Sequence, residues 1–393
     1  MVKKRDFYLD LFRAILASLV LFEHFRHCIF FTYSEQSSSD LGWEVLFFYG
    51  LTSLGKQAVI GFFCLSGYFA ATSIQSLFSS NLSTFEAITI FLAKRISRIY
   101  TLFLPLLLLS LPIYFLSDII NPSLVHDLTS YGFGSSFAGA ASDLSAFIPT
   151  LLLSPAFFGK QVWQGFPISW SLVNEIWYYL SSIFIGLYLF NAKRRLTMPA
   201  AIYFVVIFLF LVLLQARLGV LRYFPFFVAS FAVSWIKNSL SMPARILSFM
   251  PLWGCLTFFL VVTSPITFIL AEEFAPQALE IIVGLLSILI IISSPGEGLP
   301  RFLSRFQFLE RHAIAMSNHS YSLYLSHSLL IIGFFGASSF NRMPATSIEA
   351  YALFLLFVLI SYFVAWLFYV AIDSRHSRVA KRLLLGVSSI RNL

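Results

Sequence analysis

The sequence predicts an all-α integral membrane protein of about ten transmembrane helices, with N- and C-termini cytoplasmic. Three observations carry that expectation. Of 393 residues, 59% are hydrophobic and 11% charged, and the mean hydropathy is +0.84, so there is too little polar surface to coat a soluble globule. Apolar runs near the length that crosses a hydrocarbon core of roughly 30 Å recur along the chain. The basic residues are dense in alternate connections, as in chains whose cytoplasmic loops hold most of the Lys and Arg.

Taken in order, the runs are 9–31, 57–74, 99–117, 169–190, 200–216, 221–236, 250–271, 278–294, 319–337 and 350–372. With the N-terminus inside, nineteen of the 26 Lys and Arg fall in cytoplasmic segments and six outside, and Arg13 lies within the first run. The net charge of +8 therefore reports topology and contact with anionic lipid, not nucleic acid. Lys3, Lys4 and Arg5 imitate the start of a signal peptide, but the following run is long and holds Asp10 and Arg13, so it should stay as helix one. Cys28, Cys64 and Cys255 have no CxxC spacing, which suggests neither a disulfide framework nor a metal site. The whole chain, 1–393, reads as one membrane domain. Its longest stretch outside a span, 118–168, is expected on the outer side, either contacting an outer substrate or dipping into the bilayer at IPTLLLSPAFF.

Polar residues inside the runs are candidates for chemistry, because charge at that depth is costly. Arg13 and His24 in LDLFRAILASLVLFEHF are eleven positions apart, which puts them on one helical face about 16 Å apart along the axis. Asp10 stands three residues before Arg13 and can offset the cost of burying the guanidinium. A lone membrane histidine is more commonly a packing hydrogen-bonder than a catalyst. In the fourth span, ISWSLVNEIWYYL, the residues Ser171, Asn174, Glu175 and Tyr178 form a polar stripe. Counted from the outer end, Glu175 comes level with His24, which makes a carboxylate and imidazole pair an expectation, with Trp170 or a backbone group as the alternative partner for the carboxylate. FFCLSGYFAA places Ser66 and Gly67 inside the membrane, where Gly permits close approach of another helix or of a slender ligand. Tyr321, Tyr324, His327 and Ser328 form a further stripe in span nine. Arg95 and Arg98, in AKRISRIY, share a face at the cytoplasmic mouth of span three, suited either to clamping phosphates or to ordinary positive-inside anchoring.

In their order and spacing these segments, with LRYFPFF and the closing FYVAIDSRHSRVAKRL, resemble the acyltransferase family 3 membrane proteins over nearly the whole chain. The resemblance implies an O-acyltransferase of the cell inner membrane. Its donor substrate would be cytoplasmic acyl-CoA, commonly acetyl-CoA, and its acceptor a hydroxyl of a surface glycan or lipid-linked saccharide. It implies no metal and no bound cofactor. By the same resemblance His24 matches the catalytic general base and Glu175 the fourth-span carboxylate. Arg13, Arg95 and Arg98 match the positions that hold the CoA phosphates, and Ser66, Gly67, Tyr324 and His327 match the membrane path. A proton-coupled transporter, or a glycan-export partner without acyl transfer, is the competing expectation. Membrane His and Glu residues serve relays in transporters too, although the inverted repeats common there are not visible.

Overall fold

The computed structural model describes residues 6–36, 42–121, 144–192, 209, 213, 220–237, 276–294, 307–338 and 340–384. All regular structure among them is helical, apart from one isolated bridge between Phe30 and Met343. The helices are α1 (Phe7–Ile29), α2 (Trp43–Leu51), α3 (Gly55–Phe78), α4 (Thr84–Ile120), α5 (Phe147–Leu151), α6 (Trp170–Ala192), α7 (Phe224–Lys237), α8 (Pro276–Ser293), α9 (Gln307–Leu330), α10 (Ile348–Ala371) and α11 (His376–Leu384). The expected spans 200–216 and 250–271 lie outside the described residues, but for Leu209 and Leu213.

Among the described residues, four stretches are long and apolar enough to cross a membrane: Trp43–Phe78, Thr84–Ile120, Pro167–Leu189 and Ile348–Leu384. The chain is an all-α membrane protein. α1 is equally long but carries Asp10, Arg13, Glu23 and Arg26, and α9 is more polar still, so composition alone undervalues the two helices that prove central.

α1 is the axis of the bundle. Its start is fixed by Asp6, whose carboxylate accepts from the backbone N–H groups of Tyr8 and Leu9 as an N-cap. α3 runs antiparallel to it: a Cβ on Gly55 would meet Glu23 and Val20, and one on Gly61 would meet Leu16. α9 runs parallel to it, pinned at two levels. Ser317 Oγ donates to Asp10 Oδ1 at 2.7 Å near the start of α1, and His24 meets His327 at 2.7 Å towards its end. The end of the bundle holding the α1 N-terminus is called basal below, and the opposite end apical.

The apical end is tied by two backbone hydrogen bonds, Phe31 N to Met343 O and Met343 N to Ile29 O, and by Arg342 bonding Glu35 at 3.1 Å. At the basal end Arg98 of α4 meets Asp373, just past α10, at 2.9 Å. The segment 144–169 lies along α4 instead of standing clear of the bundle. Tyr100 Oη donates to the Leu151 carbonyl at 3.0 Å, Phe103 packs on Phe166, and Tyr114 packs on Trp163. α6 therefore starts inside the bundle, after the turn Pro167–Ser169, and not at its apical rim.

Candidate active site

Three arginines from two helices open onto one cavity of about 380 Å³, at the lower end of the range for small-molecule sites. α1 supplies Arg13, and α4 supplies Arg95 and Arg98, which share a face because three residues make nearly one helical turn. The Arg13 guanidinium lies 5.1 Å over the Phe69 ring. Arg95 donates to the Phe69 carbonyl at 2.6 Å and to Ser73 Oγ at 3.0 Å, and stacks 4.9 Å over Tyr179. Arg98 is oriented by Asp373, which is fully buried and also accepts from Ser322, and it lies 4.9 Å over Tyr321. Aromatic faces and carbonyls thus hold the guanidiniums in place at the basal mouth, where His376 and Ser374 complete the rim.

Above the arginines the wall is polar. Ser66 Oγ of α3 donates to Glu175 Oε1 at 2.7 Å, and Tyr179 Oη donates to the same oxygen at 2.5 Å. One turn of α6 towards its start, Ser171 Oγ is 2.7 Å from Tyr324 Oη, and Tyr324 reaches the Ile168 carbonyl at 3.4 Å. Tyr324 is the most apical lining residue contributed by α9, with Val59 and Ser171 its counterparts on α3 and α6.

His327 lies one turn beyond Tyr324, fully buried, with its ring 6.2 Å from the Tyr324 ring. Its Nε2 is 2.7 Å from Nδ1 of the half-buried His24, and its Nδ1 is 2.9 Å from the Leu323 carbonyl. The two imidazole planes are 25° apart with centroids at 5.0 Å.

The expected pairing of His24 with Glu175 is not formed. The imidazole meets a second imidazole, and the carboxylate bonds Ser66 and Tyr179. The reason is the late start of α6. Ser171 is level with Tyr324, one turn basal of His327, and Glu175, four residues further on, lies about 6 Å nearer the basal end than Ser171. Trp170 is not the carboxylate's partner either; it packs on Phe63 and Tyr223. Asp10 is engaged with Ser317 across to α9. Gly67 faces a helix: a Cβ there would sit 2.2 Å from the Phe227 carbonyl of α7, so Gly permits the α3 and α7 backbones to touch. Ser66, one residue away, does line the cavity. His24 and His327 were both conspicuous in the sequence, but their union was not.

Among the described residues, a helical bundle thus holds a basic-mouthed cavity beneath a hydrogen-bonded pair of histidines. Residues 6–370 match the acyltransferase family 3 profile, described as an acyltransferase domain, and the chain belongs to that family. The curated proteins and the solved structures give no significant match to it.

Proposed function

We propose that the protein is a multi-pass O-acyltransferase of the cell inner membrane, with ten spans and both termini in the cytoplasm. It moves an acyl group, acetyl in the first instance, from cytoplasmic acyl-CoA to a hydroxyl of an extracytoplasmic glycan or lipid-linked saccharide. One observation carries the reading: Arg13, Arg95 and Arg98 share a cavity whose apical wall, Tyr324, is one helical turn from the His24 and His327 pair.

The basal mouth faces the cytoplasm in this reading. The arginines there bind the phosphates of CoA as charge-assisted, geometrically fixed donors. At about 380 Å³ the cavity has room for the pantetheine arm, whose amide N–H groups meet Glu175 and Ser66 in this reading. Glu175 is thereby assigned to holding the donor and not to the base. The thioester comes to rest near Ser171 and Tyr324. His24 acts as general base on the acceptor hydroxyl, a role worth typically 10² to 10⁴ in rate. The alkoxide oxygen attacks the thioester carbonyl carbon, the carbon–sulfur bond breaks, and the proton taken by His24 passes to the leaving thiolate to give free CoA and the ester.

The test uses purified protein in lipid nanodiscs with acetyl-CoA and a panel of saccharide acceptors, following thiol release. His24→Ala is expected to reduce turnover at least 10²-fold with unchanged yield and membrane insertion. Normal turnover in that variant would remove His24 from the chemistry. Exchanging Arg95 and Arg98 together for Ala is expected to raise the KM for acetyl-CoA tenfold or more, and an unchanged KM would refute the phosphate role.

A further inference from the structure

His327 meets His24 through a hydrogen bond whose direction its other nitrogen decides. A neutral imidazole has one N–H and one lone pair. His327 Nδ1 is 2.9 Å from the Leu323 carbonyl oxygen, which can only accept, so the proton of His327 sits on Nδ1 and its Nε2 carries the lone pair. A second proton on this ring would put a charge in a site with no solvent exposure, which is costly. At 2.7 Å from that lone pair, His24 Nδ1 must be the donor. With its proton on Nδ1, a neutral His24 ring carries its lone pair on Nε2.

We infer that His327 is the positioning residue for His24: it holds the imidazole in the Nδ1–H tautomer and so makes Nε2 the nitrogen that takes the acceptor proton. The inference rests on the acyl-transfer reading above for its chemical consequence, but the tautomer itself does not. During turnover Nε2 receives the hydroxyl proton as the alkoxide attacks, and returns it to the thiolate as the carbon–sulfur bond breaks. Nδ1–H stays donated to His327 throughout, which spreads the transient positive charge and prevents the ring from turning. The bond between Asp10 and Ser317 holds α9 in the register that keeps the two rings opposed.

The direct test is nitrogen NMR on protein labelled with ¹⁵N-histidine in lipid nanodiscs, with the His24 signals assigned by their loss in His24→Gln. Expected is a protonated Nδ1 and a lone-pair Nε2 on His24, the tautomer that free histidine disfavours. A lone pair on Nδ1 would overturn the inference. In turnover assays His327→Leu fills the site but cannot accept, and should lower kcat on the order of 10²-fold while leaving the KM for acetyl-CoA within about threefold. His327→Gln, whose amide oxygen can stand where Nε2 was, should recover most of that loss. Wild-type kcat in a folded Leu variant, or no advantage of Gln over Leu, would overturn the positioning role; should the Leu variant not fold, the NMR result and the Gln variant still decide it. Absence of thioester cleavage by the wild type would overturn the acyl-transfer reading, whereas an Nε2–H His24 in an active wild type would overturn the tautomer lock alone.

Discussion

Glu175 shows how much the partners of one side chain bear on the role proposed for it. Its Oε1 accepts from both Ser66 and Tyr179, so the carboxylate is spoken for by the cavity wall and not by the base. Glu175→Gln is expected to raise the KM for acetyl-CoA about tenfold, the worth of one hydrogen bond to a charged group, with kcat changed less. A kcat collapse at unchanged KM would return Glu175 to the chemistry. The individual residues were largely legible in the sequence, because an ionisable side chain in an apolar run is conspicuous. Their partners were not. Spacing along a helix gives depth and face, but depth must be counted from a known end, and the buried start of α6 moved Glu175 away from His24. Gly67 was legible only as a close approach, since sequence alone does not say whether a ligand or the Phe227 carbonyl fills the space.

At the scale of elements, α3 is held by small residues where it meets its neighbours. Gly67→Leu forces the α3 and α7 backbones apart and is expected to destabilise the fold by about 1–3 kcal/mol, the usual cost of overpacking. A melting temperature in detergent equal to the wild type would show that α7 yields without cost. The apical turn offers a pH-dependent counterpart. The Thr32 backbone N–H, at 2.7 Å, and then Arg342 hold the Glu35 carboxyl below the ordinary carboxylate range. Since its folded value lies below the unfolded one, the stability it contributes is fully present above the unfolded carboxylate range and fades as pH falls through the folded value. The difference in melting temperature between wild type and Glu35→Gln should be small at pH 7, because the side chain is 45% exposed, and should shrink as pH falls below the ordinary carboxylate range. A difference that grows on acidification would contradict this. The helices among the described residues were largely readable from hydropathy. The polar content of α1 and α9 weakened that signal without hiding their runs, whereas the depth of α6 was not readable, because its first turn follows a segment that folds back along α4.

The whole molecule is a bundle with chemistry on its axis and charge at its ends. Arg98 meeting Asp373 at one end and Glu35 meeting Arg342 at the other mark opposite faces. In a background without the three native cysteines, cysteines placed at Glu35 and at Arg378 should react with an impermeant maleimide from opposite sides of sealed vesicles. Labelling of both from one side would overturn the topology. Neither the cavity nor the packing of α9 beside α1 was legible from the chain, because both depend on which faces of distant spans meet, and no local pattern encodes that.

The contact of Tyr324 with Ser171 and the Ile168 carbonyl does more than shape the end of the cavity. A thioester held beneath it would be screened from the aqueous side where acceptors arrive, so an activated acyl group could wait there without being squandered on water. Opening that partition with Tyr324→Ala should uncouple the two half-tasks: acetyl-CoA would be broken down in the absence of any sugar, and a variant as silent as the wild type without acceptor would mean that some other barrier guards the bond.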